Sequence, residues 1–516
     1  MTNQQLLEMC KVFGQQLREN WPRARDERGA ELTHDSIFLK EVSQDEFQGL
    51  LRGIDDLIQK SEVRIDHDIC FVDCSFLVFK EKLSLPNLDY GITFKQSEFK
   101  AEVDLKGREI NGPVNFAQAK FHKKTDFSNS HFHKTLNLNY AVFGPTDRTE
   151  NNNILVADFT RTEFEKDIIL ENSIFMGDAH FRHTKFLGDT KFRQIGFPPP
   201  AIADFSNACF EKPFTFYPKN IGPNLGQETE YIFEKAEFEN SAEIAGNLYN
   251  VEFSSAKFFE TALFKCSFLG ITNFKGASFG KLADFSAVRK AEGKIEFKEV
   301  CFNGKTEFFS EPQPVVMDLT KAKFSQAPHF CERGLHPDTK IRTAKFTGFA
   351  TEDDYQNYRI LKRECARIHA REEENIFHYC EMRTLAKLYL SHPKSFLLGI
   401  LSYLYFLISR YGQGPFQALL VLAGLMALFG CYYTNNAENI VFHKGDSIEW
   451  AKCINTGILY TFQNIVYPFS QFTQKGIIEA KTGSLAILGV FQSLTFFTVF
   501  GLFILAIRRR FRKGSE

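Results

Sequence analysis

The stretch 94–143, FKQSEFKAEVDLKGREINGPVNFAQAKFHKKTDFSNSHFHKTLNLNYAVF, decides the fold of the first two thirds of this chain. Large apolar residues recur in it as pairs five residues apart, and each pair starts eleven residues after the one before. A small residue often stands two positions before the second member, as Ala119 does before Phe121. A spacing of two puts both side chains on one face of an extended strand. The pairs are Phe94/Phe99, Leu105/Ile110, Phe116/Phe121, Phe127/Phe132 and Leu138/Phe143.

The same pattern continues to Phe346, with interruptions at residues 145–153 and 198–200. It accounts for the composition, since the chain has 57 Phe against 16 Tyr and 2 Trp. One such unit cannot bury its own apolar face, so many must stack on one another. The pattern therefore predicts a β-solenoid, and residues 83–346 allow at most about 12 coils of 22 residues.

The repeat resembles that of the pentapeptide-repeat family, Ala-(Asp/Asn)-Leu/Phe-x-x. Three segments match it letter for letter: Ala157-Asp158-Phe159, Ala203-Asp204-Phe205 and Ala283-Asp284-Phe285. The chain differs by one added residue in every second unit. The resemblance implies an all-β, right-handed quadrilateral β-helix, the pentapeptide-repeat solenoid.

Some members of that family imitate DNA and inhibit topoisomerases, which needs a strongly acidic face. Residues 71–346 hold 35 Lys plus Arg and 36 Asp plus Glu, and the whole chain holds 62 and 63. This balance does not favour a DNA mimic or a nucleic-acid partner. We see no convergent catalytic residues, so we expect no enzyme and no cofactor. The solenoid histidines stand between the Phe positions and are expected to face solvent, so no metal site is predicted: His122, His131, His133, His180 and His183.

Helix-forming, charged sequence follows the repeat. Tyr358, Leu361 and Cys365 have helical spacing, and a second helix is predicted to end before Pro393. A 13-residue apolar stretch, 396–408, is too short to cross a bilayer and is predicted to lie at the membrane interface.

Two later runs are long enough to span a membrane, at residues 416–434 and 484–507. Basic residues follow the second run, and Lys394 and Arg410 precede the first. The positive-inside rule then places both termini and the solenoid in the cytoplasm. Eleven scattered cysteines and the lack of an apolar signal segment in the first twenty residues agree with a reducing compartment.

Between the two spans, residues 451–472 are mostly apolar but contain polar residues and Pro468. A third span would violate the charge rule, so a re-entrant segment is predicted. Span, re-entrant segment and span resemble the bacterial two-transmembrane pore-loop ion-channel module. Tyr411-Gly412 before the first span also matches proteins that pair this module with Phe-rich pentapeptide repeats.

Potassium-type members of that family carry Thr-x-Gly-(Tyr/Phe)-Gly in the loop, whereas residues 463–470 contain no glycine. Potassium selectivity is therefore not predicted. Two interpretations remain, a pore of other selectivity and a degenerate pore that serves as an anchor. The pore-loop candidates are Gln463, Asn464, Tyr467, Ser470 and Gln471. The candidates for the pore-facing side of the inner helix are Gln492, Ser493, Thr495 and Thr498, with Gly489 and Gly501 as candidate hinges.

The resulting hypothesis is an ion-channel-like protein of the inner membrane, with a lipid bilayer and inorganic ions as partners and a homotetrameric assembly implied by the resemblance. The solenoid would sense a ligand or bind a cytoplasmic protein. The alternative is a membrane-anchored scaffold without conduction. The expected domains are a helical cap at 1–65, the solenoid at 66–348, a helical connector at 349–393, an interfacial helix at 394–412 and the membrane domain at 413–516.

Overall fold

The structure is a computed structural model of the chain, and it describes two compact units, Met1–Gly348 with Arg363–Glu373 and Phe349–Lys362 with Glu374–Glu516. The first unit contains the parallel strands and the second contains the apolar helices. The residues described are 40–49, 51–52, 71–145, 154–219, 229–291, 293–308, 315–330, 336, 338–341, 343–349, 351–367, 369–442, 455–467 and 478–511.

The first unit is a parallel β-solenoid, as predicted, and its eleven turns lie within the expected limit. Two of its sheets have eleven strands each, and every strand pairs in parallel with the equivalent strand of the next coil. The remaining sheet has 18 strands and consists of two parallel runs of strands that join at Thr190–Gly196. The interruption at 145–153 leaves the stacking intact, because Thr125 pairs with Ala157 across it.

Most solenoid strands are only two or three residues long. The 18-stranded sheet comprises Lys40–Val42, Phe71–Asp73, Leu77–Phe79, Gly91–Thr93, Glu98–Phe99, Val114–Asn115, Lys120–Phe121, Leu136–Asn137, Val142–Phe143, Ile168–Ile169, Ile174–Phe175, Thr190–Gly196, Phe214–Lys219, Ala242–Leu248, Thr261–Phe268, Leu282–Asp284, Lys290–Ala291 and Lys305–Glu307. The second sheet comprises Leu83–Ser84, Val103–Asp104, Thr125–Asp126, Leu155–Asp158, Asp178–His180, Ile202–Asp204, Glu230–Ile232, Asn250–Glu252, Thr272–Asn273, Ile295–Glu296 and Met317–Asp318. The third sheet comprises Glu109–Ile110, His131–Phe132, Glu163–Phe164, Lys185–Phe186, Cys209–Phe210, Glu237–Phe238, Lys257–Phe258, Ser278–Phe279, Cys301–Phe302, Lys323–Phe324 and Lys345–Phe346.

The repeated phenylalanines form stacks inside the solenoid. Along the third sheet, Phe238 lies 5.0 Å from Phe210 and 4.6 Å from Phe258, measured between ring centroids, with rings nearly parallel. Within one coil, the two members of a pair meet at an angle: Phe116 and Phe121 are edge to face at 5.4 Å, and Phe274 and Phe279 are tilted at 6.1 Å. Both geometries are favourable for aromatic rings. The five-residue and eleven-residue spacings thus have one cause, which is the filling of a continuous aromatic core.

The Ala-Asp-Phe segments show what each position does. In Ala203-Asp204-Phe205, the alanine and the phenylalanine are fully buried, and the Asp204 Oδ1 atom accepts a hydrogen bond from the Ser206 backbone N–H at 2.9 Å. The Ala208 N–H then donates to the Phe205 carbonyl at 3.0 Å and closes a tight turn. An acidic or amide side chain in the second position therefore fixes the corner of the coil.

Many corners hold a residue with positive φ that is not glycine. Asn207 has φ 58° and Arg161 has φ 58°. Sequence reasoning placed corners here but did not identify these left-handed residues. At Gly107 and Gly276 the corner residue is glycine, which adopts this left-handed conformation without steric cost.

Part of the predicted N-terminal cap lies within the described residues. Lys40–Val42 is a strand that pairs in parallel with Leu77–Phe79, and residues 44–49 are helical. Phe47 is buried against Phe79 and Phe94, at 5.5 and 5.8 Å between ring centroids. Most of residues 1–65 lie outside the described residues, so a cap at 1–65 stays a prediction.

Six longer helices lie in the described part of the chain after the solenoid strands. They are α1 (Glu352–Arg367), α2 (Arg371–Ser391), α3 (Phe396–Ser409), α4 (Pro415–Asn435), α5 (Thr456–Val466) and α6 (Gly483–Phe511). Short 3-10 turns lie at Pro393–Ser395 and Ala437–Asn439, and two antiparallel strands, Ile440–Phe442 and Ile478–Ala480, pair with each other. The helices predicted at 396–408, 416–434 and 484–507 are present, and α2 ends before Pro393.

Candidate functional site

The candidate site is the group of α4, α5 and α6 with the strand pair Ile440–Phe442 and Ile478–Ala480. Two of these helices, α4 and the first 26 residues of α6, are long and apolar enough to cross a membrane. Only 28% and 22% of their most apolar windows are buried within the chain. Large side chains on both helices are exposed, among them Leu428 and Ile487. Helices with this much uncovered apolar surface suit contact with lipid.

Helix α5 is the described part of the segment that we expected to re-enter the membrane. Its 11 residues cover about 16 Å at 1.5 Å per residue, about half of a hydrocarbon core. The Asn455 side chain caps its first turn by accepting a hydrogen bond from the Gly457 N–H at 2.9 Å. The same Oδ1 atom accepts a hydrogen bond from the Thr434 hydroxyl of α4 at 2.9 Å. The start of α5 is therefore hydrogen-bonded to the end of α4.

A close approach of backbones fixes α5 against α4. A Cβ atom added at Gly457 would lie 2.2 Å from the Thr434 nitrogen and 2.5 Å from the Tyr433 carbonyl carbon. Tyr433 and Tyr460 pack edge to face at 4.8 Å, and both are buried. Around them lies a small apolar core made of Phe429, Tyr433, Ile440, Tyr460, Ile478 and Leu485.

Buried amide side chains join α5 to α6. Asn464 Nδ2 donates to Gln492 Oε1 at 3.2 Å, and Gln492 Nε2 donates to the Thr461 carbonyl at 3.0 Å. The Ser493 hydroxyl lies 2.6 Å from the Asn464 carbonyl and 3.0 Å from the Gly489 carbonyl. We call Asn464, Gln492 and Ser493 the amide bridge. It satisfies polar groups that are costly to bury unpaired.

Gln463 joins α5 to the strand pair. Its Oε1 atom accepts a hydrogen bond from the Ile478 N–H at 2.8 Å, and its Nε2 atom donates to the Ile478 carbonyl at 2.6 Å. The amide therefore extends the edge of Ile478–Ala480 as a further backbone unit would. Both Gln463 and Asn464 are buried within the single chain.

The structure thus brings together four of the predicted site residues, namely Gln463, Asn464, Gln492 and Ser493. Three others stand apart. Tyr467 is 57% exposed after the end of α5, Thr498 is exposed on α6, and Thr495 is half-buried. The hydroxyls of Thr495 and Thr498 donate to the carbonyls four residues earlier in α6, at 2.8 Å each. Ser470 and Gln471 lie outside the described residues.

The two candidate hinge glycines have different surroundings. A Cβ atom at Gly489 would lie 3.0 Å from Asn464 Nδ2 and 3.1 Å from the Tyr460 hydroxyl, so Gly489 makes room for α5. A Cβ atom at Gly501 would meet nothing within 4 Å. Close packing accounts for the glycine at 489, and nothing in the structure accounts for the one at 501.

Sequence reasoning missed several residues that build this site. Asn455 and Gly457 could have been found, since Asn-Thr-Gly before an apolar run is a helix-start signal and glycine is small among bulky neighbours. The buried pair Tyr433 and Tyr460 gives no such signal. Its members lie 27 positions apart and meet only in the folded chain.

A second cluster lies where the connector helix α2 meets α3. The turn Arg410-Tyr411-Gly412 has three successive positive φ angles, 49°, 58° and 78°. The turn buries Tyr411 against Phe406 at 5.6 Å and Tyr379 at 6.2 Å, and burial raises the pKa of the Tyr411 phenol. The Arg383 guanidinium donates to the Tyr379 hydroxyl at 2.8 Å. The Tyr-Gly element noted in the sequence is therefore a rigid contact between α2 and the end of α3.

Two groups of side chains among the described residues have the composition and spacing to hold a metal ion. They are Glu109, His131 and His133 in one group and Cys209, Glu237 and Glu239 in the other.

The side chains of the solenoid histidines were expected mostly to face solvent, and their exposure differs in the structure. His183 is exposed, as expected. The other four are half-buried, namely His122, His131, His133 and His180. They reach partners on neighbouring coils, as His122 Nε2 does at 2.7 Å from Glu98 Oε1. Stacking of the coils covers these side chains, which the sequence alone does not show.

Comparisons with known proteins give no match. No protein-family model matches the chain, no curated protein does, and no solved structure does.

Proposed function

We propose that this chain is the subunit of an ion-channel-like protein of the inner membrane, with a cytoplasmic pentapeptide-repeat domain that senses a ligand or binds a protein partner. In this proposal the solenoid is a right-handed, four-sided β-helix. Its four parallel runs of strands and the repeat of about 22 residues support that shape. The subunits assemble as a homotetramer, because one copy of two spans cannot enclose a pore.

The observation that carries the proposal is the position of α5. A helix of about 16 Å, too short to cross, is held by a hydrogen bond to α4 and by buried hydrogen bonds to α6, and both of these helices are long enough to cross. Non-helical backbone beside it is tolerated at membrane depth only when protein or water surrounds it. A re-entrant segment between two spans meets this condition.

The orientation rests on charge. Lys394 and Arg410 precede α4, and a basic run from Arg508 to Lys513 closes α6. The positive-inside rule puts both flanks, and with them both termini, in the cytoplasm. The chain is then a multi-pass protein with the strand pair Ile440–Phe442 and Ile478–Ala480 on the outer side.

The buried hydrogen bonds divide the candidate residues into two roles. We assign Gln463, Asn464, Gln492 and Ser493 to support, since each is already bonded inside one chain. The water-lined surface is assigned to Tyr467 and the following residues Ser470 and Gln471, and to the face of α6 that carries Thr498. Without a Thr-x-Gly-(Tyr/Phe)-Gly element, the selectivity is not of the potassium type.

Thiol modification in liposomes tests this assignment. A parent with Cys431→Ser and Cys453→Ser is reconstituted, and ion flux is measured before and after a charged, membrane-impermeant thiol reagent. Thr498→Cys should lose most of its flux, whereas Phe500→Cys should keep it, because the Phe500 side chain is 39% exposed and lies about 200° around α6 from Thr498. An equal loss of flux in both variants would show that Thr498 does not line the pore. Absence of flux in the parent under all conditions would count against conduction.

A scaffold without conduction is the alternative, and the amide bridge favours it. A water-filled pore needs polar groups that contact ions. The polar groups of the amide bridge are instead paired with one another and with backbone carbonyls of the same chain. The mass of the detergent-solubilised protein discriminates, because a monomer without flux supports the scaffold and a tetramer with flux supports the channel.

DNA mimicry is a lesser alternative that the surface of the third sheet disfavours. Lysines and glutamates of successive coils pair there, as Lys185 does with Glu163 at 3.0 Å and Lys257 with Glu237 at 2.7 Å. Such pairs cancel the field that an imitation of the phosphate backbone requires.

A further inference from the structure

Two stacked histidines stand on the outside of the third sheet. Parallel pairing places His131 beside Glu109 of one neighbouring strand and Glu163 of the other. His133 follows two residues later and shares the outer side, because Phe132 between them is buried in the core. The centroids of the two imidazole rings are 3.9 Å apart, with an angle of 34° between the ring planes.

One carboxylate lies at each edge of this ring stack. Glu165 Oε1 is 3.0 Å from His131 Nε2 and 3.0 Å from His133 Nδ1. Glu109 Oε2 is 3.5 Å from His131 Nδ1 and 3.2 Å from His133 Nε2. All four ring nitrogens therefore face a carboxylate oxygen.

Glu165 lies beside both rings. Its Oε1 atom is hydrogen-bonded to His131 Nε2 at 3.0 Å, and the same atom lies 3.0 Å from His133 Nδ1. Glu165 therefore holds both rings in place from one side.

The Glu109 side brings three possible metal ligands together, and their ligand atoms all lie within 4.8 Å of one another. His133 Nε2 and Glu109 Oε2 are hydrogen-bonded at 3.2 Å. When each ring carries its proton on the nitrogen that faces Glu165, a metal ion can take the place of the proton in that hydrogen bond. Zn²⁺ bonds of about 2.0–2.1 Å in a tetrahedron separate neighbouring ligand atoms by about 3.3 Å. The distances of 3.5 and 3.2 Å fit that separation.

We propose that Glu109, His131 and His133 bind one divalent transition-metal ion of the Zn²⁺ class, with Glu165 as the supporting carboxylate. Two imidazoles and one carboxylate leave a fourth position for water. A carboxylate on the far nitrogen of each histidine is the usual support of a zinc ligand. The His131 and His133 side chains are 28% and 30% exposed, so an ion can enter from solvent. The site departs from the sequence-based expectation of no metal, and it holds whether or not the chain conducts ions.

The other metal-compatible group is a poorer site. Burial is the main cause that raises the pKa of the Cys209 thiol, and the negative charge of Glu239 is the next. The raised pKa disfavours the thiolate form, which is the form that binds metal. Glu237 is also held by Lys257 at 2.7 Å. Near the proposed site the competing carboxylate, Glu163, is paired with Lys185 and does not crowd the histidines.

The test uses full-length protein in detergent, stripped with a chelator and titrated calorimetrically with Zn²⁺. We expect one ion per chain. His133→Gln should weaken binding at least about 100-fold, and Glu165→Gln should weaken it about 10- to 100-fold. His122→Gln is the matched control, since His122 pairs with Glu98 on the same solenoid but belongs to neither metal-compatible group, and its affinity should equal that of the parent.

A spectrum with Co²⁺ supplies an independent readout. The d–d bands of a site with two imidazoles and one carboxylate should appear without a thiolate charge-transfer band, and they should be lost in Glu109→Gln. If one variant does not fold, as judged by its thermal unfolding, His131→Gln replaces it. Failure of the parent to bind Zn²⁺ saturably, unchanged affinity in a folded His133→Gln, or a thiolate band abolished by Cys209→Ser would each overturn the proposal.

Discussion

The side chains of Asn464 and Gln492 meet at 3.2 Å in a buried hydrogen bond that links the short helix α5 to the long apolar helix α6. Gln492 Nε2 also donates a hydrogen bond to the Thr461 carbonyl of α5 at 3.0 Å. Two amides that looked like candidates for contact with ions are thereby structural links within one subunit. They hold the short helix α5 against α6.

Removing one amide of the Asn464–Gln492 hydrogen bond should lower the stability by more than that bond contributes, because the groups it leaves behind stay buried. Gln492→Ala leaves the Asn464 amide and the Thr461 carbonyl without this partner in a buried place, at a cost of about 1–3 kcal/mol. We expect a lower unfolding temperature in detergent, and Thr498→Ala, which loses only a bond within its own helix, should be nearly neutral. In a double-mutant cycle, Asn464→Ala and Gln492→Ala should be clearly non-additive. Additive effects would mean that the two side chains act separately.

The contact between Gly457 and the end of α4 makes a second prediction. In Gly457→Ala the new methyl would lie 2.2 Å from the Thr434 nitrogen, so α5 must move away from α4. Overpacking of this kind costs about 1–3 kcal/mol. Gly424→Ala is the control, because its methyl would meet nothing within 4 Å and alanine favours helix by about 1 kcal/mol. The thermal shifts of the two variants should have opposite signs, and equal shifts would refute the close contact.

The aromatic core of the solenoid can be tested with two adjacent phenylalanines. Phe258 is buried, and its ring stacks on Phe238 at 4.6 Å and Phe279 at 4.9 Å, whereas Phe259 is 45% exposed. Phe258→Ala should lower the free energy of unfolding by about 3–5 kcal/mol. Phe259→Ala should change it by less than about 1 kcal/mol. Chemical denaturation followed by circular dichroism measures both, and a comparable loss in the two variants would contradict the inward assignment.

The solenoid could be predicted from the sequence because every coil places large apolar residues in equivalent core positions. A single phenylalanine carries little information, whereas pairs such as Phe94/Phe99 recur at a fixed spacing and occupy equivalent core positions. The corners were harder to predict, since residues as different as Asn207 and Arg161 adopt the same left-handed conformation. The stacking of neighbouring coils imposes this conformation, and local sequence propensities do not include that effect.

The candidate site was less accessible to sequence reasoning. Polarity within an apolar segment drew attention to Asn464 and Gln492, but it could not tell a side chain facing an ion from one bonded to a neighbouring helix. That distinction depends on which helices touch. The histidine pair shows the same limit, because His131 acquires Glu109 and Glu165, 22 and 34 residues away along the chain, only when the coils are stacked.

The last prediction concerns Glu381 of α2, which is buried between Lys362 and His378. Burial raises the pKa of this carboxyl, but the hydrogen bonds from His378 and Lys362 outweigh it and hold the pKa below the usual 4.5. Because the folded pKa is the lower one, the pair stabilises the helices above pH 4.5, and this contribution disappears as the pH falls through the depressed pKa.

Glu381→Gln should therefore be less stable than the parent near neutral pH, by about 1 kcal/mol since solvent reaches Lys362 and screens the pair. The difference between the unfolding temperatures should shrink as the pH falls below 4.5. Glu438→Gln, which changes an exposed carboxylate after α4, should follow the parent throughout. A gap between Glu381→Gln and the parent that stays constant down to low pH would show that the glutamate acts through its shape, because the loss of a charge pair must depend on the protonation of that carboxylate.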